Sequence, residues 1–231
     1  MKLFYDLHIH SALSPCGDKD MTPNNIVNMA LIKGLSVIAV ADHNSCGNVR
    51  SLIKVADGRL LIVPAMEVTT AEEVHALCLF PTVEQAEDMG QLVYAHLPDI
   101  KNRPDIFGHQ YYMNDADEII KEEERLLVSA TDLSIYEVEE KARERGGLMI
   151  PAHIDRSSYS LIANLGFMPP DLPVATVEIT ARHLDAMRDE YAAYHIITDS
   201  DAHYLEDMAE AERSLDVLHK KTDEIIKFLS K

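Results

Sequence analysis

Histidines and acids stand at the ends of apolar runs throughout this chain. "YDLHIH" closes on His8 and His10, "VIAVADH" on Asp42 and His43, "LLIVPAME" on Glu67, "LMIPAH" on His153, and "HIITDSDAH" on Asp201 and His203. Residues i and i+2 of a strand point to the same side, so His8 and His10 can reach one ion together. Imidazoles mixed with carboxylates suit Zn, Mn or Fe. Ions held close together clamp a phosphate, activate water and carry the charge that builds on a leaving oxygen. His75 is the exception, because it begins its run, "VHALCLF", and needs a strand of different direction to reach the others.

Residues scattered from 6 to 203 meet only if the strand ends share one face, as in a parallel α/β barrel. The pattern along the chain agrees: "KLFYDL", "LSVIAVA", "RLLIVPAMEV", "VHALCLF", "GGLMIPAH", "VATVEIT" and "YHIITDSDAH" read as strands. "MTPNNIVNMALIKG" reads as a helix capped by Thr22, with Pro23 in its first turn and Gly34 as its stop. Residues 83–95, 115–125, 134–145 and 207–229 are expected to be helical, with Ser134 and Glu137 forming a capping box. Strands alternating with helices indicate α/β architecture. The whole chain, 1–231, is expected to be a single domain, with a lid or insertion around 98–130.

The chain has 231 residues, 47% of them hydrophobic, which is enough for a sizeable core. Lys and Arg number 21 and Asp and Glu 39, giving a net charge of −18. A field of that sign repels phosphate backbones and anionic membranes over the surface as a whole, so no membrane contact is expected and nucleic acid is an unfavoured partner. Cys16, Cys46 and Cys78 form no paired framework, and no leader segment or membrane span is evident, so a cytoplasmic setting is expected.

The motifs "DLHIHS", "ADHN", "AMEV" followed by "VHALCLF", "PAH" and "SDAH" occur in the order found in the PHP (polymerase and histidinol phosphatase) superfamily, which the chain resembles from Asp6 to His203. The resemblance implies a distorted seven-stranded (β/α) barrel, two or three divalent metal ions and phosphoester hydrolysis. Carried over by motif, His8 and His10 would share one metal with Glu67 and Asp201. Glu67 would bridge to a second, held also by His75 and His153. His43 and His203 would hold a third, completed from the loop after the first motif. There the text is "CGD", which makes Asp18 the candidate ligand and leaves Asp20 and Cys16 as alternatives. Glu67, Asp201 and His203 would be the catalytic members. Asp6 and Asp42, beside the histidines, are read as groups that orient the imidazoles.

Arg156 and Arg182 follow strand ends and are placed to hold a substrate phosphate. His183 and His109 are lesser candidates for the same neighbourhood. The leading expectation is a phosphoesterase acting on a small phosphorylated metabolite, a phosphomonoester of nucleotide or sugar type, by attack of metal-bound hydroxide. A nuclease acting on oligonucleotides and a non-catalytic metal-binding module are the alternatives.

Overall fold

A computed structural model describes all 231 residues. Its main sheet has six strands: β1 (Lys2–Ile9), β2 (Val37–Val40), β3 (Leu61–Thr69), β4 (His75–Leu79), β7 (Leu148–Pro151) and β10 (Ser214–Asp216). They lie in the order β10-β1-β2-β3-β4-β7. β1, β2 and β3 run parallel, whereas β4 is antiparallel to both β3 and β7. Two antiparallel steps bring β7 back to the direction of β3. β8 (Thr176–Glu178) and β9 (His195–Ile197) pair in parallel as a separate two-stranded sheet. The Ile154 amide bonds Glu178 O at 2.9 Å, and the His10 amide bonds Ala202 O at 2.9 Å. The curled sheet is therefore bridged on its open side. The expected seven-strand count is not met: six strands form the curled sheet and two more a separate pair beside it.

Local chemistry accounts for most of the elements. Thr22 accepts from the Asn25 amide at the start of α1 (Pro23–Ile32), and Gly34, at φ 75°, ends the turn beyond it. α2 (Val49–Ala56), α3 (Val83–Ala95) and α5 (Ile135–Glu144) follow, α3 and α5 each with a capping box. β2 and β3 are apolar and buried on both faces, so their residues split between two core clusters either side of the sheet.

Two helical expectations are corrected. Residues 115–125 hold no helix; β5 (Tyr111–Met113) and β6 (Ile119–Glu122) form a hairpin there, after the four-residue α4 (Pro104–Phe107). The Asn114 side-chain oxygen accepts from the Ala116 and Glu118 amides, and Asp117 sits at φ 59°, so turn chemistry outweighs helix propensity. The hairpin packs on the loop after β1 and the start of α2: the Tyr111 amide donates to Ala12 O, and the Met113 amide to the Asn48 side chain. The helix expected over 207–229 is confined to α8 (Thr222–Leu229), because Ser214–Asp216 instead pairs with β1 and covers that edge. Short helices α6 (Leu161–Leu165) and α7 (Leu184–Met187) complete the chain. No helix is long and apolar enough to cross a membrane.

Candidate metal centre

Glu67 is the hub. It lies on β3, fully buried, and its two carboxylate oxygens face different sets of imidazoles. Oε1 is 2.9 Å from His75 Nδ1, 3.2 Å from His153 Nε2 and 3.3 Å from His8 Nε2. Oε2 is 2.9 Å from His43 Nδ1 and 3.4 Å from His10 Nε2. Asp201 Oδ1 lies 3.0 Å from His10 Nε2 and 3.5 Å from His8 Nε2. His203 stacks on His10 with ring centroids 4.2 Å apart.

Strand direction explains the convergence. Thr69 at the end of β3 pairs with His75 at the start of antiparallel β4, so a histidine that begins its run arrives where the others end. His43 forms an isolated parallel bridge with Glu67, and Ile9 one with Ala202, which sets the ends of β1, β2 and the 200 loop side by side. The backbone bends sharply there. His153 has φ 29°, Asp201 φ 50° and Asn44 φ 50°, left-handed values that cost non-glycine residues energy and gather at functional sites.

Ligand atoms come together in three sets, each within 4.8 Å: His8, His10 and Asp201; His43, Glu67 and His75; and His10, His43 and His203. Of these side chains, His8 Nε2, His43 Nδ1, Glu67 Oε2 and His75 Nε2 are buried without a well-formed hydrogen bond, and so is Nδ1 of the neighbouring His153. Buried polar atoms left open in this way call for a ligand. The donor set of imidazoles around two carboxylates fits divalent ions.

Burial alone would keep Glu67 protonated, but His75, His8 and His43 hold it well below the usual carboxylate range. Burial likewise works against the Asp201 anion, and His8 and His10 outweigh it. His8 is raised although burial opposes its charge, because Glu178, Glu67 and Asp201 surround it. His10 is lowered by burial and by the neighbouring His203 and His43 rings.

Asp42 accepts from the Ser11 amide at 2.7 Å, the Ser11 hydroxyl at 2.6 Å and the Ser14 hydroxyl at 2.7 Å. Ser14 Oγ in turn lies 2.9 Å from His10 Nδ1, so Asp42 acts on His10 through Ser14. Asp6 orients no imidazole. Its carboxylate accepts from the Ser200 amide and hydroxyl and from the Ala209 amide, and so anchors the loop that carries Asp201. One partner, Glu178, was not singled out in the sequence. Glu178 meets His8 Nδ1 at 3.0 Å and accepts from the His153 amide at 3.1 Å. His203 Nδ1 donates to Asp201 O at 2.9 Å, which leaves its Nε2 free to face the cluster. Glu178 was legible in principle, since "VATVE" is another apolar run ending in an acid.

Asp18, like Cys16, is not among the converging ligand atoms. Its carboxylate accepts from the Asp20 amide at 2.8 Å, and Asp20 pairs with Lys19 at the surface. The Cys16 thiol, from the same loop, is within hydrogen-bonding reach of the His43 and His203 rings. Arg156 pairs with Asp201 Oδ2 and, with Arg182 and Arg213, lines a cavity of about 570 Å³ that opens beside His153 and Asp201. His183 pairs with Asp155 at 2.6 Å and His109 with Glu122 at 2.6 Å; neither joins the ligand sets.

No family model matches the chain. It is 28% identical over 162 residues to an uncharacterized protein of Methanocaldococcus jannaschii, a match that covers 70% of this chain and 18% of that one. The structure is similar to the lesion-specific endonuclease EndoQ of Pyrococcus furiosus, at a TM-score of 0.69 and 20% identity over 100% of this chain and 56% of that one. An Endonuclease Q complex with a 27-mer duplex carrying an abasic lesion matches at 0.70, with 20% identity over 98% of this chain and again 56% of that one. A two-domain protein of Bacteroides vulgatus containing a PHP-like metal-dependent phosphoesterase matches at 0.57 and 14% identity, over 100% of this chain and 63% of that one. The chain thus spans less than two thirds of the length of each of these relatives.

One expectation is overturned by these likenesses. Net charge does not make nucleic acid an unlikely partner, because Endonuclease Q, which this fold matches over 56% of its chain, is solved in complex with a DNA duplex. A sum over the whole surface does not describe the potential at a site, where bound cations and nearby guanidiniums act at short range while distant acids are screened. The likenesses leave the architecture plain: this chain has the PHP fold.

Proposed function

We propose that the protein is a metal-dependent phosphoester hydrolase. The observation that carries this is Glu67, a buried carboxylate whose two oxygens face five imidazoles on opposite sides. His8, His10, Glu67 and Asp201 would hold one ion; Glu67, His75 and His153 a second; His10, His43 and His203 face a third position. Ions in these places would supply Lewis acidity toward a phosphoryl oxygen and lower the pKa of water.

The chain's own side chains do the rest. Glu178 and the Asp42–Ser14 pair fix the rings of His8 and His10, so the ligand nitrogens need no reorganisation. Arg156 spans from Asp201 to the cavity and would fork onto phosphate oxygens, with Arg182 as a second cation at the rim. Asp201 stands at the junction of the ligand sets and that cavity, where attacking and leaving oxygens would lie, and the His203 ring is held to its carbonyl.

A cavity of about 570 Å³ has room for one nucleotide-sized or sugar-phosphate unit, which supports a small phosphomonoester as substrate. The likeness to Endonuclease Q over the full length of this chain supports an oligonucleotide phosphodiester as the second reading. The test is one panel of kcat/KM values for the metal-loaded protein over nucleotides, bisphosphates and sugar phosphates beside DNA and RNA oligomers, intact and with abasic lesions. A tenfold preference for oligomers selects the nuclease reading, and the reverse selects the small substrate. No hydrolysis of any member, with ions bound, refutes the proposal and leaves a metal-binding module.

A further inference from the structure

The third ligand set differs in composition from its neighbours. His10, His43 and His203 bring three imidazole nitrogens within 4.8 Å of one another, whereas the carboxylates Asp201 and Glu67 each belong to one of the other two sets. Three neutral rings leave a dication with its full charge, so an anion close by would stabilise it strongly. Asp18 does not provide one, since its carboxylate closes a turn onto the Asp20 amide.

The loop instead presents Cys16. It is wound through successive turns, with the Ser14 amide bonded to Ser11 O at 3.0 Å, the Gly17 amide to Ser14 O at 2.9 Å and the Asp18 amide to His203 O at 2.9 Å. The last bond ties the cysteine loop directly to a residue of the three-imidazole set. Two glycines make the winding possible. A side chain at Gly17 would collide with the Ser11 carbonyl, and one at Gly108, at φ 94°, with the Pro15 carbonyl. Gly108 belongs to the segment before the β5–β6 hairpin, so that segment clamps the cysteine loop from outside. The thiol so held lies beside His43 and His203, next to the three-imidazole set but outside it. Cys46 and Cys78, by contrast, are buried.

We infer that Cys16 is a metal ligand: its sulfur completes, with His10, His43 and His203, a three-nitrogen, one-sulfur site for a zinc-like divalent ion. The inference rests on the metal-dependent reading above and assigns to one of its positions the Cys16 thiolate in place of the Asp18 carboxylate. Binding forms a metal–sulfur bond and releases the thiol proton to solvent. A thiolate makes this position softer than the carboxylate-rich pair beside it, so it selects zinc over manganese or magnesium. Cys16 is also exposed, which leaves the position open to exchange and to oxidation.

X-ray absorption on the zinc-loaded full-length protein tests this. A sulfur shell at about 2.3 Å is expected in addition to nitrogen and oxygen. The cobalt-substituted protein should show a near-ultraviolet thiolate-to-cobalt absorption. Both signals should vanish in Cys16→Ser, and one equivalent of metal should pass to a competing chelator at least tenfold faster. If that variant fails to fold, alkylation of the wild type decides: bound zinc should slow iodoacetamide modification of the Cys16 peptide at least tenfold. A full complement of ions with only nitrogen and oxygen neighbours, or with Cys16 alkylated at an unchanged rate, overturns the inference and leaves the phosphoesterase reading standing. A protein that binds no ion under any loading condition overturns both.

Discussion

Replacing Glu67 by Gln is the most informative single perturbation, because this side chain touches more of the cluster than any other. It keeps the shape of Glu67 on β3 and the packing around it, but removes one unit of negative charge and turns an acceptor oxygen into an NH2 donor. Oε1 faces His75, His153 and His8, and Oε2 faces His43 and His10, at 2.9 to 3.4 Å. Whichever oxygen becomes nitrogen, one side of the hub loses its anion and meets a donor. At least one equivalent of metal is therefore expected to be lost, with hydrolysis reduced on the order of 10³-fold, or about 4 kcal/mol of transition-state stabilisation. Glu67→Asp should fall between, since it keeps the charge but draws it back by a methylene. The assay is kcat/KM at saturating metal, read beside elemental analysis of the same samples, with circular dichroism to show that the fold persists. Near-normal turnover of Glu67→Gln with all ions bound would refute the bridging role.

The remaining expectations are narrower. Asp18→Asn should change activity and metal content by less than threefold, because its carboxylate caps the Asp20 amide and faces no ligand; a loss approaching that of Glu67→Gln in a metal titration would return Asp18 to the site. Glu178→Gln should weaken metal binding about 10- to 100-fold while leaving the thermal midpoint of the metal-free protein within a few degrees, since the amide keeps a bond to the His153 amide but orients His8 less firmly; unchanged affinity by calorimetric titration would refute it. Glu123→Ala should destabilise the protein by about 2 kcal/mol, because this buried carboxylate accepts from Tyr94, Tyr112, Lys121 and the Arg125 amide. Burial opposes the Glu123 charge, but Lys121 and the Arg125 amide outweigh it and lower its pKa. Its contribution is thus fully present above the unfolded carboxylate value and is lost as pH falls through the lowered folded value; urea midpoints for wild type and variant should converge on acidification, and parallel pH curves would contradict the assignment.

Sequence alone determined the candidate ligand types and much of the scaffold. Apolar runs ending in His8, His10, His43, Glu67, His153, Asp201 and His203 are visible because buried strands and the polar residues at their ends contrast sharply in composition. The capped helices are equally local: Thr22, Thr82 and Ser134 each accept from an amide three residues on. Tertiary structure decided what depends on direction and on partners far along the chain. The antiparallel turn of β4 puts His75 beside Thr69, and no local pattern states a strand's direction. Asp6 lies next to the histidine motif in sequence but holds residues 200 and 209 in space, while Glu178, 170 residues away, is the group that meets His8. Residues 115–125 carry helix-forming side chains but form a hairpin around the Asn114 turn, and Ser214–Asp216 leaves a helical pattern to cover the edge of β1. A strand pairing, a long-range hydrogen bond or, at Asn114, a side-chain turn outweighs a local preference of less than about 1 kcal/mol per residue. The same reasoning covers the loop after β1: its text offered Cys16, Asp18 and Asp20 alike, and only the folding of that loop between His203 and Gly108 turns one of the three toward the imidazoles.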